Sequence, residues 1–344
     1  MRIENMMFFV RKEFMNRKHI IAACLGIFIG MLLVSSCMEE HPGIEMKVAI
    51  AAPADEPGSQ ALLRFTELVN ERSNGRIYAK LYAASSIGNN RDVTEGLQLG
   101  TVEVQMVPNS QLAAFVPSLN IFELPFLFKN NEHMYAVLDS EIGESYRSDL
   151  EARGFHLLGY FTFGVRHIMT RDKAVHSIED IRGLKIRTME CPLHLDAFKA
   201  FGASPLPMAY SELFLALQTG MIDGAEAANS NFYSKRFFEV APNWAQVGWL
   251  HLVAPVIMSK KFYDELPTDL QKIVDETLLE LVPYERDLYT RVSREKLEQL
   301  KTEGVTITYP DTALFKEASQ AVYKKWAEKV GGAERIESIL NFKY

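Results

Sequence analysis

The chain has 344 residues, and its 37 basic and 44 acidic side chains give a formal net charge of −7. An acidic chain with scattered Lys and Arg argues against a nucleic-acid partner, and it leaves the recognition of any anion to local arrangements of arginine. The length is sufficient for two lobes with separate hydrophobic cores.

The N-terminus predicts export. A basic stretch over residues 11–18 precedes an uncharged apolar run over 20–34, which has the length of a signal-peptide core and is short for a membrane span. Small residues then precede Cys37, as in a bacterial lipoprotein signal. We therefore expect a signal peptide over 1–36, a lipid on Cys37 and a tether over 37–45. A transmembrane anchor with an incidental cysteine is the alternative, and both place the bulk of the chain outside the cytoplasmic membrane.

Cysteine usage predicts no intramolecular disulfide in the exported form. Cys24 leaves with the signal peptide and Cys37 carries the lipid, so Cys191 alone remains. Because no Cys–His pairing is visible, a partly buried structural role for Cys191 is favoured over a nucleophile.

The first part of the exported chain predicts alternating strands and helices. Period-2 and period-3.6 patterns, separated by glycine turns, give a strand, a helix, a strand, a helix and a strand over 46–51, 58–73, 77–81, 91–99 and 102–107. This opening predicts a mostly parallel sheet with helices on both faces.

The middle of the chain predicts a buried loop, one long helix and two strands. Residues 117–128 are rich in Leu, Pro and Phe and are expected to pack into the first core. Apolar residues then recur every four positions from Met134 to Leu150, which favours a single helix. Strands are expected over 156–161 and 165–170.

The last part predicts short elements followed by one very long helix. The short elements are a strand, two helices and a strand over 184–187, 192–201, 211–219 and 250–259. After Pro267 no glycine occurs before Gly304, so a helix over much of this stretch would be on the order of 50 Å long. Pro283 lies inside it and is expected to allow a kink.

Arg187 is the strongest candidate binding residue. It lies at the end of a short apolar strand, within a glycine-punctuated block over 183–226. A guanidinium held there can grip both oxygens of a carboxylate. A surface salt bridge is the alternative for an isolated arginine.

Ordered segments across the chain resemble one family. From about residue 46 to 330 the sequence is similar to the extracytoplasmic solute-binding proteins of TRAP transporters, the DctP type. The matching segments are FTELVNERSNG (65–75), EGLQLGTV (95–102), FVPSL (115–119), LPFLF (124–128), GVRH (164–167) and the block from GLKIR (183–187) to DGAE (223–226).

The resemblance implies an α/β fold of the periplasmic-binding-protein (Venus flytrap) type, with a long helix bridging two domains. The expected domain I is 46–163 plus about 252–290, and domain II is 164–251 plus about 291–335. The resemblance also implies that Arg187 pairs with a ligand carboxylate and that Arg166 assists. Asp223 and Glu226 match the family's turn and are interpreted as turn and domain-packing residues, with ligand contact as the alternative.

Two departures from the family pattern suggest where specificity lies. Ala227 and Ala228 follow Glu226, where many relatives have a polar residue, so Asn229 and Asn231 are candidates to supply the amide. The first strand-to-helix loop carries Glu56, which would repel a second ligand carboxylate or accept hydrogen bonds from ligand hydroxyl or amine groups.

Further ligand-binding candidates are Phe163, Phe232 and Asn109. The aromatic residues have core packing as the alternative, and Trp244 and Trp249 are interpreted as structural. No cofactor or catalytic motif is visible, and the His194-x-Asp196 spacing has no obvious further metal ligands.

The predicted function is a solute receptor and not an enzyme. It would bind a small organic acid, preferably a sugar acid or a hydroxy or keto acid, and deliver it to TRAP permease subunits from a lipid anchor on Cys37. The alternatives are a lipid-anchored hydrolase of anionic substrates and a ligand-sensing lipoprotein without a permease.

Overall fold

The structure is a computed structural model that describes residues 43–344. The predicted signal peptide, Cys37 and nearly all of the predicted tether lie outside the described residues. The strand predicted to start at Met46 begins at Ile44, so the last two tether residues belong to the sheet. Within the described part of the chain, no helix is both long enough and apolar enough to span a membrane.

Nine strands form one sheet in the described residues. They are β1 (Ile44–Ile50), β2 (Ile77–Tyr82), β3 (Val104–Met106), β4 (Phe155–Thr170), β5 (Lys185–Thr188), β6 (Ser204–Pro207), β7 (Gly224–Ala227), β8 (Asn243–Ser259) and β9 (Thr306–Thr308). The order is β2-β1-β3-β8-β4-β7-β5-β6, with β9 paired to β8.

Helices cover this sheet. They are α1 (Pro57–Arg72), α2 (Asn90–Leu99), α3 (Asn109–Leu112), α4 (Asn131–Leu138), α5 (Glu141–Glu144), α6 (Arg147–Glu151), α7 (Pro192–Ala200), α8 (Leu213–Thr219), α9 (Asn229–Ser234), α10 (Lys260–Glu265), α11 (Thr268–Leu300), α12 (Ala313–Trp326) and α13 (Ala333–Leu340). The predicted long helix is α11, with 33 residues and Pro283 inside it.

The prediction of a mostly parallel sheet is wrong for its centre. Parallel pairing joins β1 to β2 and β3 and joins β5 to β6 and β7, as the alternation of strands and helices predicts. The two longest strands, β4 and β8, are antiparallel to each other and separate those two parallel groups. The sheet is therefore mixed, because β8 returns after the second group to pair with both β3 and β4.

The helix predicted from Met134 to Leu150 is three short helices, α4, α5 and α6. Ser140 interrupts the pattern because its side chain caps α5 by accepting a hydrogen bond from the amide of Ile142 at 3.1 Å. Gly143 then allows a close approach, since a Cβ there would lie 1.9 Å from the carbonyl oxygen of Leu138.

The strands predicted over 156–161 and 165–170 are one strand, β4, interrupted by a bulge. The pairing of β4 with β8 shifts register between Thr162 and Val165. Gly164 has a φ of +74° there, and a Cβ on it would lie 2.3 Å from the ring of Tyr289 in α11. The bulge therefore places the middle of β4 directly against the long helix.

Candidate functional site

A small cavity of about 50 Å³ lies beside the ends of β1, β3 and β5 and the bulge of β4. Ligand sites in open α/β folds commonly lie at such strand ends. Its walls are formed by Ala51, Ala52, Glu56, Asn90, Pro108, Gln111, Phe163, Arg166, Arg187, Met189, Tyr210, Asn231, Leu252 and Tyr289. Five of the predicted ligand-binding residues are among them, namely Glu56, Phe163, Arg166, Arg187 and Asn231.

Arg187 lies in β5 with 1% of its surface exposed. Its Nε and Nη2 donate hydrogen bonds to the carbonyl oxygen of Met208 at 3.0 and 2.7 Å, and its Nη1 donates to Oε1 of Glu226 at 3.3 Å. A guanidinium has five N–H donors. Two donors of Arg187 therefore have no partner within residues 43–344.

Arg166 lies in β4 just after the bulge and is 4% exposed. Its Nε donates to Oε2 of Glu226 at 2.7 Å, and its Nη2 donates to the backbone carbonyl of Glu226 at 3.3 Å. Its Nη1 donates to the carbonyl oxygen of Phe163 at 3.3 Å. Arg166 thus also keeps two N–H donors that have no partner in the described part of the chain.

Glu226 is the shared counter-ion of both arginines. It lies in β7, is fully buried and contacts Arg166 with one carboxylate oxygen and Arg187 with the other. Asp223 has a different role, since its Oδ2 accepts a hydrogen bond from the amide of Lys185 at 2.7 Å and so joins the turn to β5. The two acidic residues of the family turn are therefore not equivalent.

The pKa shifts show that the two arginines share Glu226 unequally. Burial alone would lower the pKa of Arg166, but the ion pair with Glu226 raises it. Burial lowers the pKa of Arg187, and the positive charge of Arg166 adds to this effect, so Glu226 compensates it only in part. Burial would raise the pKa of Glu226, and the two guanidinium groups lower it. The positive charge of Arg187 is therefore less fully compensated by Glu226 than that of Arg166.

Glu56 lies at the N-cap position of α1 and is 5% exposed, whereas the neighbouring Asp55 is exposed. Its Oε1 accepts a hydrogen bond from the hydroxyl of Ser234 in α9 at 2.5 Å. Burial raises the pKa of Glu56, although hydrogen bonds from Ser234 and Ser230 oppose the shift.

Tyr289 and Asn231 connect the cavity wall to the surrounding helices. The hydroxyl of Tyr289 donates to the carbonyl oxygen of Phe163 at 3.0 Å and contacts the hydroxyl of Ser230 at 2.7 Å. Oδ1 of Asn231 accepts from the amide of Ala228 at 2.7 Å, and its Nδ2 donates to the hydroxyl of Tyr210 at 3.4 Å.

Asn109, Asn229 and Phe232 lie outside the cavity lining, contrary to the sequence expectation. Nδ2 of Asn109 donates to Glu123 and to a backbone carbonyl, and Oδ1 of Asn229 accepts from Trp244 and Gln246. Phe232 stacks on Trp244 with ring centroids 4.1 Å apart. These side chains are held by the interior of the protein, because neighbouring positions of a short helix point in different directions.

Several wall residues were missed by sequence reasoning, among them Asn90, Gln111, Met189, Tyr210 and Tyr289. The available signal was position, since Asn90 and Gln111 each lie in the first turn of a helix that follows a strand of the first parallel group. Oε1 of Gln111 is buried and has no partner within the described residues. It is a hydrogen-bond acceptor on the wall of the cavity.

Other reactive side chains are used structurally. Nε2 of His194 contacts Oε2 of Glu123 at 2.6 Å, and Asp196 accepts from Lys325 and Trp326, so the His194-x-Asp196 pair does not converge. Burial raises the pKa of the Cys191 thiol to about 12, which disfavours a nucleophilic thiolate. No cluster of three or more His, Cys, Asp or Glu side chains in residues 43–344 is arranged to hold a metal ion.

The fold and the arginine-lined cavity define an α/β protein that can bind an anion. Residues 48–329 match the family described as bacterial extracellular solute-binding protein, family 7, or DctP. The chain therefore belongs to the DctP family of bacterial extracellular solute-binding proteins.

Individual relatives agree with this assignment. The 2,3-diketo-L-gulonate-binding periplasmic protein of Escherichia coli K12 is 30% identical over 259 residues, covering 75% of this chain and 79% of the relative. A TRAP periplasmic solute-binding protein from Polaromonas sp. JS666, solved with D-erythronate, superposes with a TM-score of 0.85 and 29% identity, covering 88% of this chain and 99% of that one.

A second solved structure carries another sugar acid. It is the TRAP periplasmic solute-binding protein from Sulfitobacter sp. NAS-14.1 with bound β-D-galacturonate, with a TM-score of 0.82 and 28% identity over 86% of this chain and 98% of that one. The sequence predictions of a TRAP-type solute receptor and of a two-domain, periplasmic-binding-protein-like fold are confirmed.

Proposed function

We propose that this protein captures a small organic acid by pairing its carboxylate with Arg187 and Arg166. The observation that carries the proposal is the charge of the cavity wall, where two buried guanidinium groups share the single carboxylate of Glu226. The two guanidinium groups carry one more charge than Glu226 can match, and each arginine has two N–H donors with no partner in residues 43–344. A ligand carboxylate supplies the missing charge and accepts from those donors.

The energetics favour a carboxylate over a neutral analogue. Hydrogen bonds to charged groups each contribute about 1.5–3 kcal/mol net. Closure of the cleft around the ligand excludes water and strengthens these contacts, because the effective dielectric falls. A neutral ligand without a carboxylate would leave charged N–H donors of Arg187 buried without acceptors, which costs about 1–3 kcal/mol or more for each donor.

The rest of the wall suits a ligand with one carboxylate and several oxygen substituents. Asn90, Gln111, Tyr210 and Asn231 are neutral hydrogen-bonding groups, and Phe163 adds an apolar surface. The relatives that bind 2,3-diketo-L-gulonate, D-erythronate and β-D-galacturonate support this ligand class. We therefore assign a sugar acid, or a related hydroxy or keto acid, as the ligand.

The receptor acts in transport and returns its ligand unchanged. It delivers the acid to TRAP permease subunits, and a lipid on Cys37 holds it to the outer face of the cytoplasmic membrane or to a membrane facing the periplasm. Its two lobes are the domains I and II that the sequence analysis predicts, and α11 joins them.

A thermal-shift experiment tests the binding role of Arg187. D-Erythronate, D-galactonate and D-galacturonate are added to the protein at 100 times the dissociation constant or more, and the best of them should raise the melting temperature by about 5 °C. Arg187→Ala should remove the shift, with affinity at least about 100-fold weaker because two charge-assisted hydrogen bonds are lost. Arg187→Lys keeps the positive charge but loses the two-donor geometry of the guanidinium. Its ligand-induced melting-temperature shift should therefore lie between those of the wild type and Arg187→Ala.

Arg291→Ala is the matched control, since Arg291 is exposed and pairs only with Asp287 in the described residues. It should leave the ligand-induced shift unchanged, and circular dichroism checks that each variant is folded. Full ligand affinity in a folded Arg187→Ala protein, or no shift with any organic acid, would contradict the proposal.

A further inference from the structure

Glu56 completes the charge balance of the cavity when no ligand is present. Arg166 and Arg187 contribute two positive charges and Glu226 contributes one negative charge, all of them buried. Glu56 is a further buried carboxyl, and unlike Glu226 it lines the cavity wall itself. An ionised Glu56 makes the empty site neutral, and Arg166 lies in the wall of the same cavity.

The balance changes when a ligand carboxylate enters. With Glu56 still ionised, the site would then hold three negative charges against two positive charges in a cavity of low effective dielectric. Removing such an excess charge from water costs several kcal/mol, and buried carboxyls avoid this cost by taking up a proton. Proton uptake by Glu56 restores a neutral site.

We propose that Glu56 exchanges its negative charge for that of the ligand, so that it binds one proton from solvent as the ligand carboxylate binds to Arg187 and Arg166. This inference rests on the proposed function of the cavity. In the acid form Glu56 donates a hydrogen bond to a ligand oxygen. It thereby selects a ligand with one carboxylate and a hydroxyl or carbonyl group on the side facing Glu56, and it disfavours a second ligand carboxylate.

The groups around Glu56 favour this exchange. From α9, Ser234 donates to its Oε1 at 2.5 Å, and Ser230 is a second hydroxyl close to it. Both hydroxyls can act as donors or acceptors, so they tolerate either form of the carboxyl. Asp55, on the same loop, is exposed, and its negative charge weakly opposes ionisation of Glu56.

The remaining titratable neighbours do not replace Glu56 as the proton acceptor. Tyr210 and Tyr289 are near it, and burial raises the pKa of both phenols, so they remain neutral and already carry their protons. Arg166 stays charged, because its pKa is raised by Glu226. Glu226 is held ionised by the two arginines, which lower its pKa. Burial, in contrast, raises the pKa of Glu56.

Calorimetry measures the exchange directly. The sugar acid with the largest melting-temperature shift among D-erythronate, D-galactonate and D-galacturonate is titrated into the protein at pH 7.5, in phosphate and in Tris. The two buffers differ in ionisation enthalpy, so the difference in observed enthalpy gives the number of protons taken up. The wild-type protein should take up close to one proton, and its dissociation constant should rise by up to tenfold from pH 7 to pH 8.

Two variants distinguish proton uptake by Glu56 from any effect of the neighbouring carboxyl of Asp55. Glu56→Gln retains an acceptor for Ser234 and imitates the neutral acid, so it should still bind the sugar acid, with proton uptake near zero and a dissociation constant that is flat from pH 7 to pH 8. Asp55→Asn removes the exposed neighbouring carboxyl and should behave as the wild type.

The outcomes also separate this inference from the proposed function. Binding without proton uptake, or equal uptake by the wild type and by Glu56→Gln, overturns the role of Glu56 alone. The absence of binding by all three acids overturns the proposed ligand class and the exchange with it.

Discussion

Two buried clusters of ionisable side chains within residues 43–344 differ in their surroundings, since one lines the cavity and the other does not. In the first, Arg166 and Arg187 share Glu226 and line the cavity wall. In the second, Glu123 contacts His194 at 2.6 Å, and both side chains are fully buried. Nε2 of His194 and Nδ2 of Asn109 occupy the two carboxylate oxygens of Glu123 from within the protein.

The charge balance of the two clusters distinguishes a binding site from a structural pair. The Glu123–His194 cluster has one acid and one base, and each oxygen of Glu123 has a hydrogen-bond partner within the protein. The arginine cluster has two cations for one anion, and four of its N–H donors have no partner in the described residues. An excess of positive charge in a cluster beside a cavity indicates that a further carboxylate balances it, which is Glu56 in the empty site and the ligand in the proposed complex.

The largest expected effect comes from removing the anion of the arginine cluster. Glu226→Gln removes the shared ion-pair partner of two buried guanidinium groups, and breaking a buried pair in this way typically costs about 3–5 kcal/mol. Urea unfolding should show this loss in the free energy of unfolding. Glu95→Gln is the control, because Glu95 pairs with Arg91 on the exposed face of α2 and should contribute little. Equal stability of the two variants would contradict the counter-ion role of Glu226.

The sequence could predict Arg187 and Arg166 but not their dependence on Glu226. The end of a short apolar strand within a glycine-punctuated block identified Arg187, and the resemblance supplied Arg166 and the carboxylate partner in the ligand. The pairing of β4 with β7 places Glu226 opposite Ile168, close to Arg166. Arg166 and Glu226 are 60 residues apart in the sequence. Their contact therefore depends on the strand register of the folded sheet, which the sequence pattern does not reveal.

Sequence periodicity predicted most elements and failed where a local side-chain contact overrides it. The four-residue repeat from Met134 to Leu150 is genuine, yet Ser140 caps a new helix within it. The two predicted strands around Gly164 are one strand because β8 pairs along both sides of the bulge. The division into two domains at the boundaries given above stays a prediction.

A smaller effect is expected in the structural cluster. Glu123→Gln keeps one oxygen acceptor but turns an amide donor towards either Asn109 or His194, both of which already donate, so the free energy of unfolding should fall by about 1–3 kcal/mol. The dissociation constant for the sugar acid should stay within about twofold of the wild type, because neither Glu123 nor His194 lines the cavity. Urea unfolding and calorimetry measure the two quantities. A large loss of affinity in the folded variant would remove the distinction between the two clusters.

Glu285 provides the prediction with the smallest expected effect, and it tests whether a buried carboxyl without an ion-pair partner is neutral. It forms no ion pair within the described residues. It lies in α11 opposite the bulge of β4, where its Oε2 accepts from the amide of Thr162 at 3.2 Å and its Oε1 has no partner within residues 43–344. Burial raises its pKa from 4.5 to about 8, against the opposing effects of the Thr162 amide and Arg286. The folded state therefore favours the neutral acid.

The sign of the resulting pH dependence follows from the raised pKa. The stability that depends on the neutral acid is fully present below pH 4.5 and is lost as the pH rises through about 8. Between pH 7 and pH 8 the wild type should lose about 1 kcal/mol of unfolding free energy from this group. Glu285→Gln should not show this component, whereas Glu280→Gln, on the exposed side of α11, should retain it. Identical pH profiles for Glu285→Gln and the wild type would mean that Glu285 is ionised in the folded protein. A buried carboxyl would then persist as an anion without a paired cation, and the rule that an excess of charge beside the cavity indicates a balancing carboxylate would lose its physical basis.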